Sequence, residues 1–185
     1  MKYAAYALAS VFCLSACNKG PEVNLHNATG NQVTQAVRQS GVMTSDSMVE
    51  PGLWESKVTV QEMNMPGIPA QYADKMKQSI AEHRNEASKH CIKPEDVKKP
   101  KEDFFGADKS CKYDHFTMGG GKIDVAMVCH EEETTQNMNI SGSYTPTSYS
   151  IDTSMTGTGG REQGMSMKMH VDAQRVGECT GKDDD

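Results

Sequence analysis

The sequence predicts an α+β domain: an antiparallel meander sheet of about six strands, curved, with one helix inserted after the first strand and two disulfides. Three observations predict it. Most of the stretches between residues 53 and 171 alternate apolar and polar side chains with period two. One stretch, from Pro69 to about Lys89, instead spaces its apolar residues along a single helix stripe. Four cysteines, Cys91, Cys111, Cys129 and Cys179, fall within the same region.

The chain has 185 residues, 36% hydrophobic and 24% charged, enough for one ordinary domain with extensions. Nineteen Lys and Arg against 25 Asp and Glu leave a formal charge of −6. That balance argues against a nucleic-acid partner, since binding a phosphate backbone needs a surplus of positive charge to displace counterions. No apolar run reaches the roughly 18–20 residues that span a bilayer as a helix.

Lys2 followed by the apolar run Tyr3–Leu14 has the form of a secretory signal. Leu14-Ser15-Ala16-Cys17 resembles a bacterial lipobox, so residues 1–16 are expected to be a lipoprotein signal peptide and Cys17 the lipidated first residue of the mature chain. Each buried methylene of an acyl chain contributes about 0.8 kcal/mol, so several chains on Cys17 would hold the protein in the lipid bilayer. Asn18, where an Asp would argue for retention, points by the same resemblance to an outer membrane lipoprotein facing the periplasm. Residues 17–50 carry no aromatic side chain and are rich in Asn, Gln, Ser, Thr and Gly. They are expected to be the lipidated N-terminus and a flexible tether with a reach of about 30 Å, although Val33, Ala36 and Val37 have the spacing of a short helix.

The domain is then expected over 51–179. In Leu53–Met63, Trp54, Ser56, Val58 and Val60 share one face of a half-buried strand. Pro66-Gly67-Ile68-Pro69 ends it, and Pro69 suits the first turn of a helix, where a missing N–H costs nothing. Tyr72, Ala73, Met76, Ile80 and Ala87 fall on one stripe of that helix. A Lys- and Pro-containing loop leads to a hairpin, Lys112–Met118 and Lys122–Glu131, around Gly119-Gly120-Gly121. Further strands are expected at Gln136–Tyr144 and Ser148–Thr156, and in a last one where Met165, Met167, Met169 and Val171 alternate. Residues 180–185 are expected to be a disordered acidic tail.

Cys91, Cys111, Cys129 and Cys179 are an even set in an oxidising compartment, which predicts two disulfides. Cys111 and Cys129 are equidistant from Gly120 and would stand opposite one another in the hairpin, leaving Cys91 with Cys179. Cys91–Cys111 with Cys129–Cys179 is the second pairing. No CxxC or HxxxH spacing supports zinc.

Chemistry-bearing motifs are sparse. Met165-Ser166-Met167-Lys168-Met169-His170 gathers thioethers and an imidazole, the ligand types that suit Cu(I). In a strand, however, the three methionines share one face and His170 the other, which is the pattern of a sheet interior filled by flexible side chains. His83 and His90, seven apart on one helix face, read as solvent-exposed, and His90 as a cation at a helix C-terminus. No GxSxG, HExxH or phosphate loop is present, and no catalytic residue or cofactor is expected.

The domain resembles the bacterial family called domain of unknown function 3617. The matching residues are Pro51-Gly52-Leu53-Trp54-Glu55, Cys91-Ile92-Lys93-Pro94-Glu95-Asp96, the Cys111 and Cys129 strand pair, Met165-x-Met167, and Gln174-Arg175-Val176-Gly177-Glu178-Cys179. The resemblance implies an exported protein with no assigned activity. The expectation is a non-catalytic binding or envelope-interaction module, its partners the bilayer through acylated Cys17 and a small apolar ligand or an envelope protein. An apolar ligand would meet a surface of Met127, Met138, Met155 and Met167. A periplasmic Cu(I) carrier, using Met165, Met167, Met169 and His170, is the alternative.

Overall fold

The alternation in the C-terminal two-fifths of the chain becomes five long strands, the first four joined by two-residue turns: β4 (Cys111–Gly119), β5 (Lys122–Glu131), β6 (Thr134–Thr145), β7 (Ser148–Thr158) and β8 (Met165–Gly177). The computed structural model describes residues 20–42, 49–84, 87–98, 110–160 and 163–181. The remaining described elements, in chain order, are β1 (Glu22–Thr29), α1 (Gly30–Ser40), β2 (Gly52–Asn64), α2 (Ala70–Arg84), β3 (Ser88–Ile92) and α3 (Pro94–Lys98). All eight strands form one antiparallel sheet in the order β1-β4-β5-β6-β7-β8-β2-β3. Among the described residues it stays open, with β1 and β3 as edges.

The meander is therefore present, but the sheet has eight strands where about six are expected, and the domain is mostly β. Two strands, β1 and β3, and two helices, α1 and the short α3 in the segment expected to be a loop, account for the difference. Residues expected to be tether fold instead as β1 and α1, because their few apolar side chains converge on the sheet. Asn27 adopts a positive φ of 52° and switches the exposed side of β1, so that Val23, Leu25 and Ala28 all meet the core. They stand opposite Met118, Phe116 and Tyr113 of β4. Thr29 then caps α1: its hydroxyl accepts the Gln32 amide, while the Gln32 side chain accepts the Thr29 amide at 2.8 Å. Gly41, with φ 73°, closes the helix in the left-handed conformation. Val33, Val37 and Val42 are buried against Tyr113, Phe116, Met118, Ile123 and Val125.

The second difference lies after β2. The helix ends at Arg84 rather than near Lys89, and Ser88–Ile92 pairs with β2 as the edge strand β3. Ala87 thus falls outside the helix, while Tyr72 and Met76 on the expected stripe are exposed. The α2 helix packs against β2 alone among the strands with extensive contact. Pro69 lies just before its first residue and its carbonyl accepts the Tyr72 and Ala73 amides, which starts the helix as the sequence suggests.

Disulfides join Cys91 to Cys179 and Cys111 to Cys129. Cys111 and Cys129 are direct register partners in the β4–β5 hairpin. Cys91–Cys179 ties the β3 edge to the residues following β8, across β2. The signal peptide, Cys17, His83 and residues 182–185 of the tail lie outside the described residues or side chains.

Candidate functional site

Three clusters of side chains arise from this sheet. The first joins the two ends of the domain. Arg175, near the end of β8, donates from Nε to the Pro51 carbonyl at 2.8 Å and reaches the carboxylates of Glu50 and Glu178. Gly52 lies so close beneath it that a Cβ would stand 2.5 Å from the Gly177 carbonyl and 2.6 Å from Arg175 Nε. The neighbouring Trp54 is fully buried, donates its indole N–H to the Glu50 carbonyl at 3.0 Å and stacks on Tyr149. Among the described residues no buried side-chain nitrogen or oxygen lacks a hydrogen-bond partner, and these bonds join the two ends of the domain, so the cluster is a structural clasp.

The second cluster is a row of methionines running across the strands. Met127 of β5 stands opposite Met138 of β6, Met138 opposite Met155 of β7, Met155 opposite Met167 of β8, and Met167 opposite Met63 of β2. Directly opposite residues share a sheet face, so five thioethers on five adjacent strands line one side. A bulge between Val60 and Glu62 is what brings Met63 into the row; without it, Met63 would fall on the face of Thr59. Met127 is buried with the core, next to Tyr113. The other four are half-buried, and beside them Ile140, Ile151, Met169, Val171 and Val60 are half-buried too. The reason is uneven cover. The α1 helix packs on the β1–β4 end of the sheet, and among the described residues no helix packs extensively on β6, β7 or β8.

The third cluster is on the opposite face. His170 Nδ1 lies 2.7 Å from Asp152 Oδ1, and its Nε2 lies 3.1 Å from Asp172 Oδ2 and 3.4 Å from Ser150 Oγ. The hydrogen bond to Asp152, with Asp172 adding to it, raises the His170 pKa against a smaller opposing effect of desolvation. The Asp172 pKa is lowered, first by its bond with Ser150 and then by His170 and Lys57. A similar pair joins His115 to Asp124 at 3.0 Å. These pairs lie on an exposed polar surface; Ser150 Oγ stands beside His170 but is also bonded to Asp172, and among the described residues the hollow that Ser150 and Asp172 line is open rather than enclosed.

The family model described as Protein of unknown function (DUF3617) matches residues 49–179. The chain belongs to that family. No curated protein and no solved structure matches the chain. The match begins just ahead of β2, so the strand and helix that complete the core, β1 and α1, lie outside it. The motifs at the two ends of the match, Pro51-Gly52-Leu53-Trp54 and Arg175 to Cys179, are the ones brought together in the clasp.

Of the residues singled out from sequence, Met165, Met167 and Met169 share the apolar face but follow one another along β8, two residues apart. His170 is held to the carboxylates on the other face, so the four do not form one site. Among the described residues no group of three or more His, Cys, Asp or Glu side chains is placed to hold a metal. His90 sits on β3 rather than at a helix end, and desolvation lowers its pKa. The transverse row is the feature that alternation alone does not disclose. Met127, Met138, Met155 and Met167, expected on one apolar surface, are its consecutive members; Met63 is the addition.

Proposed function

We propose that the chain is a non-catalytic binding module, anchored to the periplasmic face of the outer membrane through acylated Cys17, whose ligand is an acyl chain or another small apolar molecule. The observation that carries this reading is the uncovered half of the apolar face, where Met138, Ile151, Met155, Met167 and Val171 are half-buried with no extensive helix cover among the described residues. A contiguous apolar face left partly open to solvent is suited to binding, and methionine adapts its shape to what it touches.

The anchor supports the same reading. Because β1 begins at Glu22, only four residues separate it from Cys17. An extended chain of that length reaches at most about 18 Å, so lipidation at Cys17 would hold the sheet close to the bilayer, a source of acyl chains. The glycine turn between β4 and β5 lies at the same end, since Glu22 pairs with Gly119.

Titration of the Cys17→Ser chain with cis-parinaric acid tests the ligand. Saturable fluorescence enhancement, lost in Met155→Lys, is expected. A linear response, or one indifferent to that substitution, would overturn the reading. Labelling of the unaltered chain by radioactive palmitate, absent in Cys17→Ser, checks the anchor separately.

A further inference from the structure

We infer that the transverse methionine row is a binding site for a soft monovalent cation, Cu(I) or Ag(I), centred on Met155, Met167 and Met63. Thioether sulfur is a soft, uncharged ligand that prefers such ions to hard dications. Register does the gathering. Met167 of β8 is flanked by Met155 on one side and Met63 on the other, each directly opposite it. Cβ atoms of directly opposite residues lie about 4.5–5.5 Å apart, and each methionine has three rotatable bonds with which to turn its sulfur toward the middle strand. Three thioethers converging on one point satisfy a d10 ion, which is content with few ligands. Met138 extends the row, and Met165 and Met169 flank Met167 along the strand on the same face.

Uneven burial separates this reading from simple core filling. Where α1 covers the sheet, the buried side chains are mostly valine, tyrosine, phenylalanine and isoleucine, with Met118 and Met127 among them. Where it does not, Met138, Met155, Met167 and Met63 stand in line and half-buried, partly open to an ion. Asp152, Lys168, His170 and Asp172 of β7 and β8 are tied to partners on the opposite face, and Arg175, on the methionines' side, is held in the clasp toward the other end of β8. No carboxylate or imidazole of these two strands shares the row's face, so the ligands it offers are thioethers, which disfavours hard ions. This inference does not rest on the apolar-ligand reading. A cation in the row and an acyl chain across it would compete, and each can fail without the other.

The test uses the full chain with both disulfides formed and with Cys13→Ser and Cys17→Ser, so that no thiol competes. It is labelled with 13C at the methionine methyls and titrated with Ag(I), a redox-stable probe for this chemistry. One Ag(I) per chain by native mass spectrometry is expected, with the methyl resonances of Met63, Met155 and Met167 shifting and that of the exposed Met76 unmoved. The double change Met155→Leu/Met167→Leu, which conserves volume, should weaken Ag(I) binding by about a hundredfold, and Met167→Leu alone by about tenfold. If the double variant does not fold, the single one is read in the same way. No retained silver, shifts spread evenly over all methionines, or affinity unchanged in Met167→Leu would each overturn the proposal.

Discussion

His170 and Asp152 face each other across the β7–β8 ladder with Nδ1 and Oδ1 only 2.7 Å apart, while Asp172 holds the other ring nitrogen at 3.1 Å. Two carboxylates on one imidazole stabilise its cation. The folded-state pKa of His170 is raised, chiefly by Asp152, so its contribution to stability is complete below the unfolded value of about 6.5 and is lost as pH rises through the folded value. Asp172 has the opposite sign. Its pKa is lowered, first by Ser150, so its contribution is present above about 4 and is lost as pH falls through the folded value. Both contributions coexist between about pH 4 and pH 6.5. The urea midpoint of the unaltered chain should exceed that of His170→Asn most clearly near pH 5, and the gap should shrink by pH 9. A gap independent of pH would show that the histidine acts through packing alone.

Gly52 is confined by the clasp. Its φ of 145° and the 2.5 Å approach of the Gly177 carbonyl leave no room for a Cβ, and the obstacle is backbone rather than a side chain that can turn away. Gly52→Ala should lower stability by about 2–4 kcal/mol in equilibrium urea unfolding. Arg175→Lys keeps the charge but loses the Nε donor to Pro51, and should cost about 1–2 kcal/mol. Because both changes act on one junction, their combination should cost less than the sum. Additivity would mean that the glycine and the arginine are energetically separate.

The two disulfides differ in what they constrain. Cys91–Cys179 closes 88 residues of sequence and Cys111–Cys129 closes 18. In the chain-entropy account, the longer closure is worth about 4.6 kcal/mol and the shorter about 3.2. Replacing Cys91 and Cys179 together by Ala should therefore lower the unfolding free energy more than replacing Cys111 and Cys129, by about 1.4 kcal/mol. Denaturant unfolding of the two double variants under oxidising conditions checks the order. The shorter bridge joins direct register partners of a single hairpin.

These relationships differ in how much of them can be read along the chain. Ile123, Val125 and Met127 alternate without interruption, so β5 and its hairpin partner are legible from period two. The β1 strand is not, because Asn27 changes the facing side between Leu25 and Ala28 and breaks the pattern. The α1 helix commits only a few small apolar residues to the core, and a polar segment of that kind resembles a linker. β3 is short and follows a helix whose stripe happens to continue to Ala87, so spacing runs the helix on into the strand. The methionine row depends on register between five strands and on a bulge at Gln61, and neither is a property of any one segment. Alternation places Met165, Met167 and Met169 on one face; only pairing shows that Met63 and Met155 are the closer neighbours of Met167 on the adjacent strands.

The family match and the folding unit have different N-terminal limits, and this gives the most direct test of the architecture. Residues 49–179 carry the match, yet the fully buried Tyr113, Phe116 and Met118 share their core cluster with Val23, Ala28, Val33, Val37 and Val42, which lie outside it. Val33, Val37 and Val42 cover them, and each such side chain contributes about 1.5–3 kcal/mol when fully buried. A chain trimmed to residues 49–185 also leaves the backbone groups of β4 unpaired along the edge that β1 occupies. Two costs then coincide, an exposed aromatic surface and an open sheet edge. The trimmed chain should bind anilinonaphthalene sulfonate, unfold at a lower urea concentration than the chain from residue 18, and associate as concentration rises. In the longer chain, Val37→Asp should reproduce the dye binding and the lower midpoint while leaving β1 on the edge, and so should associate less. Equal urea midpoints for the trimmed and longer chains would mean that β1 and α1 are an accessory to a core that the matched residues complete alone.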